Sequence, residues 1–148
     1  MKIIGALIII IVSVISAYLY EKNIKTKAKH IEEIISFINY IKSQIEYFSR
    51  TLNEIYTGYD VKSEYIYTLI ENNGQGAQEV SKEVDALIEE FFSNIGKGYK
   101  SEEIKLCDYT SERLYASLTQ LQLEIPNKIK IFRSLSLFVG VCIIILLV

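Results

Sequence analysis

The chain has 148 residues, half of them hydrophobic, with 18 acidic and 16 basic side chains, one histidine, two cysteines and no tryptophan. That inventory leaves no room for a disulfide framework and offers no Cys/His metal pattern, which suits a reducing compartment. Nor can a Ser-His-Asp or Cys-His arrangement be built around the lone His30, in a lysine-rich stretch where it is expected to be solvated, so an enzyme is not expected and no cofactor is implied.

The first element is an apolar run over residues 3–20, with no charge in it. A secretory signal peptide competes with a membrane span here, given the short basic start and the small Ser13, Ser16 and Ala17. The run is longer than a usual signal core, and Lys22, Lys25, Lys27 and Lys29 follow at once, which favours an uncleaved transmembrane helix.

Beyond it, Ile24, Ala28, Ile31, Ile35, Ile38, Ile45, Phe48, Leu52 and Ile55 recur at helical steps close to a 3.5-residue period. No Gly or Pro interrupts them before Gly58, so one long rod is expected, and Ile34, Phe37 and Ile41 widen the stripe toward bundle packing. Gly58-Tyr59-Asp60 reads as a turn. A short helix over about residues 61–72 follows, with Tyr65, Ile66, Leu69 and Ile70 on its apolar side. The Asn/Gly-rich stretch 72–76 is the clearest loop, placed toward the membrane if the two short helices simply go up and down.

A helix over about 77–94 buries Val80, Val84, Leu87, Ile88, Phe91, Phe92 and Ile95, and Gly96-Lys97-Gly98 ends it. The last helix opens with Ser101 as N-cap and carries Ile104, Cys107, Ser111, Leu114, Leu118, Leu121 and Ile125 on one face. It is expected to pair antiparallel with the first helix and to kink or break at Pro126. A second apolar run, 131–148, tolerates Arg133 by snorkelling and reads as a transmembrane helix that brings the chain's end to the far interface.

The expected fold is therefore all-α: a membrane-anchored antiparallel helical bundle, residues 21–130, between transmembrane helices 3–20 and 131–148. Between Ile31 and Asn127 acidic residues outnumber basic ones 17 to 8, while both spans carry lysines on their inner flanks. The positive-inside rule places the middle domain in the cytoplasm, and the flanking lysines suit an anionic membrane lipid surface. An acidic domain excludes nucleic acid as a partner. The glutamate pairs 32–33, 89–90 and 102–103 point about 100° apart on a helix and read as solvated faces. Neither glycine turn follows a strand or has the Gly-Lys-Ser/Thr ending of a phosphate loop.

The order of parts resembles the stage III sporulation protein AB family of endospore-forming Firmicutes. The likeness rests on the leading span, Gln44-Ile45-Glu46-Tyr47 with Leu52 downstream, Ile95-Gly96 before a charged helix start with Ile104, and Phe132-Arg133-Ser134-Leu135 with Gly140 and an aliphatic end. The sequence departs from the family pattern at Gln44, Thr51, Tyr99, Glu103 and Ser136.

The resemblance implies a protein of the mother-cell membrane around the forespore, belonging to the channel complex between the two cells. Its domain would be similar to the platform protein of type II secretion systems. It would couple a secretion-type ATPase, the stage III sporulation protein AA-like member, to the other channel proteins. On an antiparallel layout the ATPase would meet the membrane-distal end, at Asp60, Gly96, Tyr99, Glu102 and Glu103. The alternative is a generic two-span envelope scaffold that self-associates, as a homo-oligomer, through its heptad helices.

Overall fold

A computed structural model describes the backbone of residues 2–48, 50–61, 63–75 and 80–147, and their side chains except those of 2–10, 13, 136, 143, 144, 146 and 147. The chain is all-helical among the described residues. Helix α1 covers Lys2–Ser43 and passes into a π-helical turn, Gln44–Phe48; α2 (Leu52–Gly58), α3 (Glu64–Glu71), α4 (Lys82–Asn94) and α5 (Lys100–Leu147) follow. The structure divides into two compact units, one of residues 27–119 and one of residues 1–26 with 120–148.

In the 27–119 unit, α1 supplies the centre. Ile31, Ile34, Phe37, Ile38 and Ile41 are at most 1% exposed, so the widened stripe faces neighbours on more than one side. Ile55 from α2, Ile66 and Leu69 from α3, Ile88 and Phe91 from α4, and Cys107, Thr110 and Leu114 from α5 complete the core. Phe37 is its hub. Its ring lies against Tyr59 (4.8 Å between centroids), Tyr56 (6.0 Å) and Phe92 (6.2 Å).

The antiparallel pairing of α1 with α5 holds within this unit. Lys42 meets Asp108 at 2.6 Å and Asn39 meets Ser111 at 3.5 Å, so three residues back along α1 is three residues forward along α5. Cys107 lies in this seam and is a free thiol, as is Cys142.

Several details differ from the expectation. The long first rod stops at the π-turn. There the wider turn rotates the stripe, so Ile45 stays buried while Phe48 is turned out to 62% exposure. Thr51 then restarts the helix as N-cap of α2, with its N–H donating to the Glu54 carboxylate at 3.2 Å. Helix α3 begins only at Glu64.

Of the expected helix over 77–94, residues 77–79 lie outside the described residues, and the described part begins at Lys82 behind Ser81, whose hydroxyl accepts from the Val84 N–H at 3.3 Å. The loop at 72–75, with Asn73 at φ 51° and Gly74 at φ 80°, packs against Phe92 in the second half of α4. It therefore sits level with the Phe37 cluster, away from the Lys27 end of the unit where the up-and-down layout placed it. His30 is stacked on Tyr65 (4.1 Å between centroids, 10° between planes) instead of standing in solvent.

In the other unit, the first part of α1 and the last part of α5 run side by side. Tyr20 stacks on Phe132 (4.4 Å between centroids) and Arg133 reaches Glu21 at 3.5 Å. Glu21 also takes Lys25 at 2.7 Å, which with Arg133 holds its carboxyl below the usual range, and Lys128 pairs with Glu124. Helix α5 continues through Pro126 without a break.

Much of the remaining described surface of this unit is apolar, with Ile11, Val12, Ile15, Leu19, Leu135, Phe138 and Ile145 all more than half exposed. Among the described residues no helix is long and apolar enough to cross a membrane. The expected spans 3–20 and 131–148 both contain side chains outside the described set.

Candidate docking surface

One end of the 27–119 unit is built by three breaks in the helices: the π-turn, the start of α2, and the turn between α4 and α5. Such breaks leave some carbonyls and N–H groups without an intrahelical partner, and side chains supply part of the missing bonds. Lys100 donates from Nζ to the Glu46 carbonyl at 2.7 Å, tying the start of α5 to the end of the first helix, where a cation is favoured.

The α4–α5 turn is seated on α2. Gly96 has φ +85°, and a Cβ built on it would lie 2.3 Å from Leu52 Cδ1, so a residue with a side chain would be both strained and in collision. Tyr99 is the N-cap position of α5: its carbonyl accepts from the Glu102 and Glu103 N–H groups at 2.8 and 3.0 Å. Its own N–H donates to Glu102 Oε2 at 3.0 Å. Ser101, expected as the cap, is thus already inside the helix, because the Glu102 carboxylate secures the turn two residues earlier.

This end exposes aromatic rings. Tyr47 is 74%, Phe48 62% and Tyr99 81% exposed, and the Arg50 guanidinium lies 5.4 Å from the centre of the Phe48 ring. Burying a Phe fully stabilises a fold by about 1.5–3 kcal/mol relative to leaving it in water. The π-turn forgoes that gain at Phe48.

Gly96, Tyr99, Glu102 and Glu103 share this end. Gly96 sets the turn, Tyr99 stands out from it, Glu102 is occupied as a cap, and Glu103 is half-buried. The Glu103 carboxylate acts on Tyr56 and Cys107. Burial pushes the Tyr56 phenol up to about 12, with the neighbouring Cys107 and Glu103 adding to the shift. It pushes the Cys107 thiol up to about 12 as well, helped by Asp108 and Glu103.

Asp60 is elsewhere. Tyr59 beside it packs on Phe37 and on Tyr40 (4.9 Å), and Ser63 bonds Glu33 at 2.7 Å, so the 58–60 turn lies along the last turns of α1. Phe37 is nine residues before Glu46, about 14 Å of helix. Burial, and the charges of Glu33 and Asp60, raise the Tyr59 phenol against the lowering hydrogen bond from Ser36.

Sequence reasoning had no route to Tyr47, Phe48 and Arg50 while the stripe was read as continuous. The signal that marks the break is Thr51-Leu52-Asn53-Glu54, a capping-box pattern that interrupts the rod. Among the described residues no group of three or more His, Cys, Asp or Glu could hold a metal ion.

A family model described as stage III sporulation protein AB matches residues 2–73 and 71–148. The chain belongs to the stage III sporulation protein AB family. No curated protein and no solved structure matches it. Membership of the stage III sporulation protein AB family gives the chain a role related to sporulation.

Proposed function

We propose that this member of the stage III sporulation protein AB family is a non-enzymatic adaptor in the mother-cell membrane around the forespore. Segments 3–20 and 131–148 hold the helical domain, 21–130, against the cytoplasmic face. There it couples a secretion-type ATPase, stage III sporulation protein AA-like, to the other proteins of the channel. The observation that carries the reading is the exposed aromatic end, built by an α1–α5 pair that leaves three aromatic side chains outside its core.

The apolar flanks of the hairpin and the lysines next to them support the membrane part of the reading. The test is binding of the purified ATPase to the full chain in lipid nanodiscs. Saturable binding at micromolar concentrations or below is expected. No binding by the wild-type chain overturns the coupling role.

A further inference from the structure

We infer that the outward face of α5 from Lys130 to Phe138 is a site for one anionic phospholipid, its phosphate held by Lys130 and Ser134 and an acyl chain lying along Ile131, Leu135 and Phe138. The inference rests on the reading of 131–148 as a membrane segment and gives that segment a specific ligand.

A groove of about 440 Å³ runs along this face, lined by Lys130, Ile131, Ser134, Leu135 and Phe138. Its polarity is graded. Lys130 and Ser134 stand one turn apart at one end, and Phe138 is a further turn on. Ile131, Leu135 and Phe138 are 67%, 57% and 68% exposed. The face points away from α1. Phe132 meets Tyr20 across the hairpin, and Lys130, Ser134 and Phe138 lie about 120–160° round the helix from Phe132.

Charge decides the headgroup. Segments 20–26 and 120–133 together hold five cations and two carboxylates, so positive charge is in excess however the pairs are drawn. Lys25 and Arg133 share Glu21, and Lys128 takes Glu124. Lys130 has no ion pair among the described residues, and the Ser134 hydroxyl makes no hydrogen bond there. A helical hydroxyl commonly bonds the carbonyl four residues back, as Thr26, Thr68 and Thr119 do. Ser134 is instead free to donate to a phosphate oxygen beside the Lys130 ammonium. A cation at the inner edge of an apolar groove is the chemistry that holds an acidic lipid headgroup. A second copy fits less well. A two-fold axis along the membrane normal would bring its own Lys130 to the same depth, like charge against like.

The chain has no tryptophan, so a single introduced one reports on its own surroundings. Phe138→Trp puts the reporter in the groove. Val14→Trp puts it at the same depth on α1, since Val14 is six residues from Tyr20 as Phe138 is from Phe132, and Val14 is 55% exposed. With the full chain in nanodiscs, quenching by phosphatidylglycerol with brominated acyl chains is compared with quenching by brominated phosphatidylcholine at equal mole fraction. At the Phe138→Trp reporter the anionic lipid is expected to be preferred about fivefold, the contribution of one lysine beside an anionic surface. At the Val14→Trp reporter no preference is expected. Lys130→Gln should abolish the preference and Ser134→Ala should lower it. Lys22→Gln removes an exposed cation of α1 outside the groove and should leave it unchanged. Leu135→Trp serves as a second groove reporter should Phe138→Trp lower the melting temperature.

An equal preference at both reporters, or an equal loss from Lys130→Gln and Lys22→Gln, makes the surface diffusely basic and overturns the site. Quenching of the Val14→Trp reporter with none of the Phe138→Trp reporter means that protein covers the groove, a second copy or another membrane helix. That overturns the lipid occupant and leaves the membrane reading in place. No quenching at either reporter overturns the membrane reading together with the inference.

Discussion

At the residue scale the fold depends most on Phe37, which is fully buried and touches rings from three other segments. Phe37→Ala removes those contacts and leaves a cavity that surrounding rings fill only in part. A loss of about 3–5 kcal/mol is expected from urea unfolding of the full chain in detergent. Cys107 and Tyr56 give a pH prediction of definite sign. Both keep their protons in the folded state above the ordinary values of 9.0 and 10.0, up to about 12. Stability is therefore complete below about pH 9 and falls as the pH rises toward 12, because the unfolded chain gains by releasing these protons first. Cys107→Ala should shrink the drop in urea midpoint between pH 8.5 and 10.5. An unchanged drop would mean the thiol ionises as readily inside the fold as outside it.

At the element scale two glycines that each close a helix behave differently. Gly96→Ala forces an L side chain into the left-handed region, about 1–2 kcal/mol, and pushes Leu52 from its seat. Gly58 ends α2 with no positive φ and meets nothing closer than the Tyr40 hydroxyl at 3.5 Å, so Gly58→Ala should be neutral or stabilise by up to about 1 kcal/mol. Thermal melting of the two variants separates them, and equal losses would refute the turn geometry. The same turn shows what a period can convey. Burial of Ile31, Ile38, Ile88 and Leu114 was legible, since a stripe that must be covered repeats every three or four residues. The exit of Phe48 was not, because a π-turn adds a residue to one turn and leaves composition and period on either side intact. The site was legible in the same measure. Gly96 and Tyr99 lie at the α4–α5 turn that the glycines mark in the sequence, whereas Asp60 lies past the end of α2, where Tyr59 packs on Phe37 and Tyr40, contacts that no local pattern signals.

At the scale of the whole molecule the adaptor reading predicts that the helical domain lies on the cytoplasmic side of a membrane. The charge pattern argues for the inside: lysines crowd the inner ends of both apolar segments, and short flanks of this kind set orientation. The apolar side chains left exposed on the hairpin, Leu135 and Phe138 among them, would be costly in water and cost nothing among acyl chains. Asn73 is a poor place for a reporter, since its φ of 51° suits Asn far better than Cys. Gln75 is exposed in the same loop and needs no such conformation. In a Cys142→Ser background, with Cys107 buried and protonated, Gln75→Cys becomes the reactive thiol for a membrane-impermeant maleimide. Labelling is expected in inverted vesicles and not in intact cells. Labelling of intact cells would put the domain outside, remove its cytoplasmic ATPase, and with it the adaptor reading.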